Sequence, residues 1–371
     1  PITQAVKKPA QLKNFMGVNA FEWDFLDPFN HLQLGANRLP AIKNFTGIRH
    51  YMDWEKIEIK EGVYSFNPTT SGGWNYDIIY QYCKDQGIEV LACLKTIPPW
   101  MEATYPKDQR DNENIPTYNG KDQLEPMSYI EQARAGFQFA ARYGNNQNVD
   151  TRLLTLDPSN QVKTGMGLIK YIECDNERDK WWKGRYAYQT AREYAANLSA
   201  FYDGHKGQLG PGAGVKNADT SMKVVIAGMA NPNTDYVRGM IDWCKEFRGM
   251  KPDGTVDLPW DIINYHYYSN DASDITGKRQ TKGVAPELSR AEAIAGEFLQ
   301  IAHQYAGDMP VWVTEAGYDI NLSSPQRAIS LNGRPTQETQ ADWILRTSLT
   351  YARAGIQKLF FYELKDDNEG N

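Results

Sequence analysis

An alternation running through the whole chain limits what it can fold into more than any other feature. Eight runs rich in β-branched and aromatic residues recur, separated by longer amphipathic helical stretches. The strand candidates are FMGVNAF (15–21), GIRHYMDW (47–54), IEVLACLKT (88–96) and GLIKYIECDNE (167–177), then KVVIAGM (223–229), DIINYHYYS (261–269), VWVTEAGY (311–318) and KLFFYEL (358–364). Helices are predicted over 74–87, 128–144, 184–204, 234–249, 289–307 and 336–355. Each of these six ends on a glycine, the usual stop signal, and Ser289 is placed to cap the fifth. A shorter first helix is expected near NRLPAIKNFTG, with Pro40 in or near its first turn.

Strand and helix alternating in this way imply parallel strands joined by right-handed crossovers. Eight such units close most naturally into an α/β fold of the (β/α)8 TIM-barrel type. The competing doubly wound sheet would carry a Gly-rich phosphate loop after its first strand, and GVNAFEWDF has none. A barrel of this kind takes ~250 residues and often more with insertions. The 371 residues are therefore read as one catalytic domain, 1–371, with the extra length in long loops after strands three, four and six. Such loops lie over the C-terminal face of a barrel. After strand eight only KDDNEGN follows Leu364, all polar or Gly, which cannot form an eighth helix with an apolar stripe. The expectation is that the natural chain continues past Asn371 with a helix, or a further module, packed between the first and seventh helices. The alternative cover is the N-terminal PITQAVKKPAQL segment or a neighbouring molecule.

Net charge is −6, which argues against a nucleic-acid partner. There is no apolar run of 18 residues, so no membrane span is expected. Cys83, Cys93, Cys174 and Cys244 form no C-x-x-C pair and read as buried free thiols, not zinc ligands. The start PITQAVKKPAQLKN looks like a mature or trimmed terminus, compatible with a secreted or periplasmic protein. Ten Trp and 22 Tyr are a generous supply of flat side chains, suited to a carbohydrate partner.

In a barrel the C-terminal strand ends form the active face. Strand four delivers Asn176 and Glu177 there, inside the dense charge cluster of YIECDNERDKWW. Strand seven delivers Glu315, strand six His266 and Tyr268, strand two Arg49, His50 and Asp53. Strand eight delivers Glu363, Asp366 and Asp367, and strand one Asn19 and Glu22, with Trp23 beside them. Two carboxylates on strands four and seven face each other over the pocket. A pair ~5 Å apart suits a retaining glycosidase, with one acid/base and one nucleophile.

An Asn-Glu pair ending strand four, a Glu ending strand seven and a His-x-Tyr on strand six resemble the retaining glycoside hydrolases of clan A. These are the (β/α)8 barrels that include cellulases, β-mannanases and β-xylosidases. The resemblance spans nearly the whole chain. It implies an O-glycosyl hydrolase with Glu177 as acid/base and Glu315 as nucleophile. It also implies that Asn176 bonds the sugar 2-hydroxyl, that Tyr268 holds the nucleophile with His266 nearby, and that Arg49 sits against Glu315. Such an Arg keeps a nucleophilic carboxylate ionised, whereas the acid needs a pKa raised by burial or by the charge of Glu315. Asn176, Arg49, His266, Tyr268, Trp181, Trp182 and Glu363 are expected on the substrate side. Two positions depart from the clan's pattern. Arg178 follows the acid where Pro is common, and Tyr362–Glu363 stand where a Trp often ends strand eight.

No cofactor and no metal are expected. A metal-dependent lyase would need clustered His and carboxylate ligands, and only His50 and His266 fall at strand ends. The acidic segments DQRDNEN and KDDNEGN have the oxygen ligands of a calcium site but read as solvated loop. A non-catalytic glycan-binding barrel is the alternative function, and it would have no need of both glutamates.

Overall fold

A computed structural model of the chain describes residues 3–6, 8–272 and 279–366. Its centre is a parallel barrel of eight strands: β1 (Met16–Asn19), β2 (Gly47–Asp53), β3 (Glu89–Lys95), β4 (Tyr171–Cys174), β5 (Lys223–Ile226), β6 (Ile263–His266), β7 (Val311–Ala316) and β8 (Lys358–Phe361). The hydrogen-bonded order is β5-β4-β3-β2-β1-β8-β7-β6. The circle closes between β5 and β6, where Ile226 N donates to Ile262 O at 3.2 Å and His266 N to Met229 O at 2.9 Å. All eight strands fall inside the predicted runs, each shorter than its run.

The crossover helices are α1 (Leu39–Ile42), α2 (Tyr76–Asp85), α3 (Ile130–Tyr143), α4 (Ala191–Asp203), α5 (Thr234–Phe247), α6 (Ala291–Tyr305) and α7 (Thr336–Ala354). Helix α4 starts seven residues later than the 184–204 reading. The reason is local: Thr190 and Glu193 form a reciprocal capping box that fixes the start at Ala191. The N-cap of α6 is Arg290, not the predicted Ser289, whose Oγ instead accepts from Ala291 N at 3.2 Å in the preceding turn. An antiparallel hairpin, Leu26–Asp27 with Asn30–Leu34, was not anticipated. Asp27 Oδ1 turns it by accepting from the Phe29 and Asn30 N–H groups at 2.8 and 3.0 Å.

Inward-facing residues recur with period two and stack in layers. At the N-terminal end Leu91, Tyr171, Val225, Ile262, Trp312 and Phe360 form an apolar plug. The Phe360 ring lies across Gly17 and Gly47, where an added Cβ would come within 2.4 and 3.1 Å of it. Above the plug the barrel interior turns polar: Asn19, Arg49, Glu173, Asn264 and Thr314 are all fully buried. Outside the strands one continuous apolar cluster joins barrel and helices.

On β8 the outward Leu359 and Phe361 are buried. A cleft of about 180 Å³, lined in part by Val18, Phe45, Ile344, Phe361 and Leu364, runs beside Phe361 between the end of α1 and α7. The N-terminal segment takes a different course. It bridges α6 and α7, with Ala5 N on Gln300 Oε1 at 2.9 Å and Ala10 N on Ala352 O at 2.8 Å. The four cysteines are buried and unpaired. No helix of the described residues is long and apolar enough to cross a membrane.

Candidate active site

The polar layer is organised around one guanidinium. Arg49 enters from β2 and reaches five neighbours, among them Cys93 Sγ at 3.5 Å. Its Nε and Nη2 donate to the two oxygens of Glu173 on β4 at 2.7 and 3.1 Å. Nη1 donates to Glu315 Oε1 at 2.7 Å and Asn19 Oδ1 at 3.0 Å, and Nη2 to Asn176 Oδ1 at 2.8 Å. The planar fork suits this bidentate grip. Glu173 also accepts from Gly228 N and Asn264 Nδ2, both at 2.9 Å. With so many donors it is a satisfied buried charge, not an orphan.

Glu315 ends β7 beside a register shift against both β6 and β8. Its Oε1 also accepts from Tyr51 OH at 2.5 Å, and its Oε2 from Tyr268 OH at 2.9 Å. Burial pushes this carboxyl up. The His266 ring, the Arg49 guanidinium and the Tyr51 hydrogen bond outweigh burial and hold it below the usual carboxylate range.

Glu177 stands across the mouth in the left-handed region, at φ +51°, after Asp175 at φ +71°. These two backbone reversals end the strand at Cys174, short of the predicted 177. Glu177 Oε1 lies 2.8 Å from His266 Nδ1, and Oε2 is ion-paired with Lys180. Burial raises its pKa, but His266 and Lys180 together pull it well below the usual range. The direction is opposite to the raised value expected of an acid, and the cause is the Lys180 ammonium together with the His266 contact. One donor atom each of Glu177, His266 and Glu315 lies within 4.8 Å of the others. Arg49 and Lys180 already supply positive charge to the two carboxylates, so the group is built as an ionised pair of acids.

The structure thus brings together Asn176, Glu177, Arg49, His266, Tyr268 and Glu315. Arg49 and His266, expected on the substrate side, are buried behind the carboxylates with their polar atoms committed to protein partners; His266 Nε2 lies 3.0 Å from Thr314 Oγ1. Trp181 and Trp182 follow Lys180 in a 3-10 turn, 65% and 53% exposed, with rings edge to face at 5.9 Å. Glu363 lines a cavity of about 190 Å³ with Tyr318, Asp319, Asn321, Tyr362 and Tyr268, the last of which it shares with the carboxylate site.

Other strand-end residues point elsewhere. His50 faces outward, with Nδ1 2.9 Å from Tyr80 OH, and Glu22 is buried beside it, accepting from Lys56 Nζ at 3.0 Å and Tyr76 OH at 2.8 Å. Asp53 pairs with Lys56 at 2.9 Å and Lys95 at 3.5 Å. Trp23 is half exposed and stacks on Phe21 at 4.9 Å. In the DQRDNEN segment the side chains of Asp111 and Asn114 accept from backbone N–H groups, and Glu113 pairs with Lys183. Asp367 and the rest of KDDNEGN beyond Asp366 lie outside the described residues.

Sequence reading missed Tyr51, Glu173, Thr314, Asn264 and Lys180. Tyr51 and Glu173 had a signal, because each shares the parity of a residue already placed, Arg49 and Glu177. Lys180 had none. Arg178 and Asp179, which follow Glu177, pin neighbouring loops. Arg178 donates to the Glu113 and Asn114 carbonyls at 2.8 and 3.2 Å, and Asp179 accepts from Ala230 and Asn231 N–H at 2.9 and 2.8 Å.

No protein-family model matches the chain, and a search of curated proteins finds no match. Solved structures do match it. It is similar to a family 39 glycoside hydrolase from Bacteroides cellulosilyticus WH2, at 14% identity and TM-score 0.56, covering 100% of this chain and 59% of that one. It is similar to a family 51 α-L-arabinofuranosidase from Bifidobacterium longum, at 12% identity and TM-score 0.53, covering 97% and 68%. A psychrophilic family 10 endo-β-1,4-xylanase aligns at 12% identity and TM-score 0.50, covering 96% and 89%. The fold is therefore the (β/α)8 barrel that these glycoside hydrolases share. The chain spans about three fifths of the length of the family 39 structure.

Proposed function

We propose that this protein hydrolyses β-linked glycosidic bonds in an oligosaccharide or polysaccharide by double displacement, with net retention at the anomeric carbon. One observation carries the reading. Glu177 and Glu315, from opposite sides of the barrel mouth, bring carboxylate oxygens within 4.8 Å of each other. That approach of the nearest oxygens supports a direct nucleophile, for which the carboxyl groups stand ~5–5.5 Å apart, over the ~6.5–9.5 Å gap that admits a water.

Glu315 is the nucleophile. Arg49, Tyr51 and Tyr268 orient it and keep it ionised. It attacks the anomeric carbon as the bond to the leaving oxygen breaks, and Glu177 gives that oxygen its proton. In the second step Glu177 takes a proton from water, and the water oxygen displaces Glu315 from the same carbon. Two inversions give retention. Trp181 and Trp182 offer aromatic faces to sugar rings beside the acid.

The test is a screen of aryl β-glycosides and plant or microbial β-glycans, followed by NMR of the first-formed anomer. A β-anomer appearing first is the expected result. An inverted product removes the double displacement.

A further inference from the structure

Both oxygens of Glu177 are engaged, by partners of different chemistry. His266 Nδ1 lies against Oε1 and Lys180 against Oε2. An imidazole nitrogen donates to a carboxylate or accepts from a carboxylic acid, according to its tautomer. Thr314 Oγ1, 3.0 Å from His266 Nε2, both donates and accepts, so it serves either tautomer. An ammonium has three donors and no acceptor. Lys180 therefore gains the full charge attraction to Glu177 only when Glu177 is ionised.

Resting on the assignment of Glu177 as acid/base, we propose that Lys180 is a positioning residue that controls the proton on Glu177. It holds the carboxylate ionised in the empty site and during the base step, and it releases Oε2 when Glu177 acts as acid. The family pattern does not supply this residue, since Arg178–Asp179–Lys180 follow the acid here.

The surroundings support a side chain that moves on a fixed backbone. Arg178 and Asp179 pin the loop on either side of the barrel mouth. Only the flexible stem of Lys180 is left to swing, and a second anion, Glu113 of the loop after β3, also attracts it. The other charged or titratable groups facing Glu177 are His266 on β6, Glu315 on β7, Tyr268 after β6 and Asp179 in its own loop, with Arg49 on β2 behind Asn176. Glu315 and Asp179 are acids and push a proton onto Glu177. His266 and Lys180 push the proton off, and Lys180 is the lysine that touches it.

The test is a ¹³C-NMR titration of the whole chain labelled at glutamate carboxyls, with E177Q assigning the Glu177 signal. In K180M the Glu177 midpoint rises by about one pH unit or more, as removal of a contacting opposite charge requires. K180R stays close to wild type. The alkaline limb of kcat/KM on a poor-leaving-group glycoside moves up in step, because Glu177 then keeps its proton to higher pH. Near-UV circular dichroism checks the fold, and K180Q replaces K180M if the latter unfolds. An unmoved midpoint and limb, with E177Q inactive, overturns the role of Lys180 alone. Cleavage by E177Q at the wild-type rate overturns the acid/base assignment, and this inference with it.

Discussion

Thr314 and Glu315 are adjacent in the chain, yet both side chains enter the barrel. Thr314 Oγ1 meets Asn264 Nδ2 at 2.8 Å, and Glu315 Oε1 meets Arg49 Nη1 at 2.7 Å. Regular pleating would send one of them outward. The register supplies the reason. Val313 pairs with Tyr265 of β6 and Leu359 of β8, but the next pairs are Glu315 with His266 and Ala316 with Phe361. β7 holds an extra residue at this point, and such a bulge re-aims a side chain.

The proposed role of Glu315, aimed by that bulge, is tested by Glu315→Ala. Turnover of an activated aryl β-glycoside is expected to fall by ~10⁴-fold or more, the scale on which removal of a nucleophile acts. Azide should restore it, entering the space of the missing carboxylate and giving a glycosyl azide of inverted configuration. Mass spectrometry and NMR of the product decide. Absence of any azide adduct, with activity retained, would contradict the role.

Glu177→Ala should separate substrates by leaving group. On a poor-leaving-group glycan the loss is expected at ~10²–10⁴-fold, the usual contribution of a positioned acid. On a substrate with a good leaving group much of the first-step rate should survive, because proton donation matters least there. Equal rates of wild type and variant on the poor substrate would rule the assignment out.

Gly228→Ala tests the support behind the acid. An added Cβ there would lie 1.9 Å from His266 Nε2, and Gly228 N donates to Glu173 Oε1. The ring must move, taking its contact with Glu177 along. We expect kcat to fall by ~10-fold or more, since displacement of a positioned group by about 1 Å costs up to 10²-fold. KM should change little. A kcat at the wild-type level would show that the imidazole position is immaterial.

Asp77 offers a stability test away from the site. On α2 it accepts from Arg142 Nε and Nη2 at 2.9 and 2.8 Å, Tyr143 OH at 2.9 Å and Lys163 Nζ at 2.8 Å. Burial raises its pKa, but the Arg142 and Lys163 contacts prevail and hold it at about 2. The folded value lies below the unfolded one. The contribution is therefore present above about pH 4 and is lost as pH falls toward 2, amounting to about 2 kcal/mol. Asp77→Ala, which strands a buried Arg142, should cost ~3–5 kcal/mol at pH 7. Denaturant unfolding at pH 7 and pH 2.5 should show that deficit shrinking at the lower pH. A deficit independent of pH would mean that the ion pair is not its source.

The sequence by itself determined the barrel and the strand ends that carry the candidate site. Period-two apolar runs and glycine-ended helices are local patterns that survive without tertiary context, and they placed all eight strands and seven crossover helices in order. They also located Glu177 and Glu315, because the ends of apolar runs are readable as strand ends. Local pattern cannot report a register shift, so the inward turn of Glu315 became visible only once β6 and β8 were paired with β7. Nor can it report which charges meet. Arg49 joins Glu173, Glu315, Asn19 and Asn176 across 124, 266, 30 and 127 residues of chain. His50, one residue on, faces the helices instead. The ionisation of Glu177 was decided last and furthest from the sequence. Burial alone would raise its pKa, and the sign reversed because folding placed His266 and Lys180 against its two oxygens. Electrostatic energy depends on distance and burial, and both exist only in the folded chain.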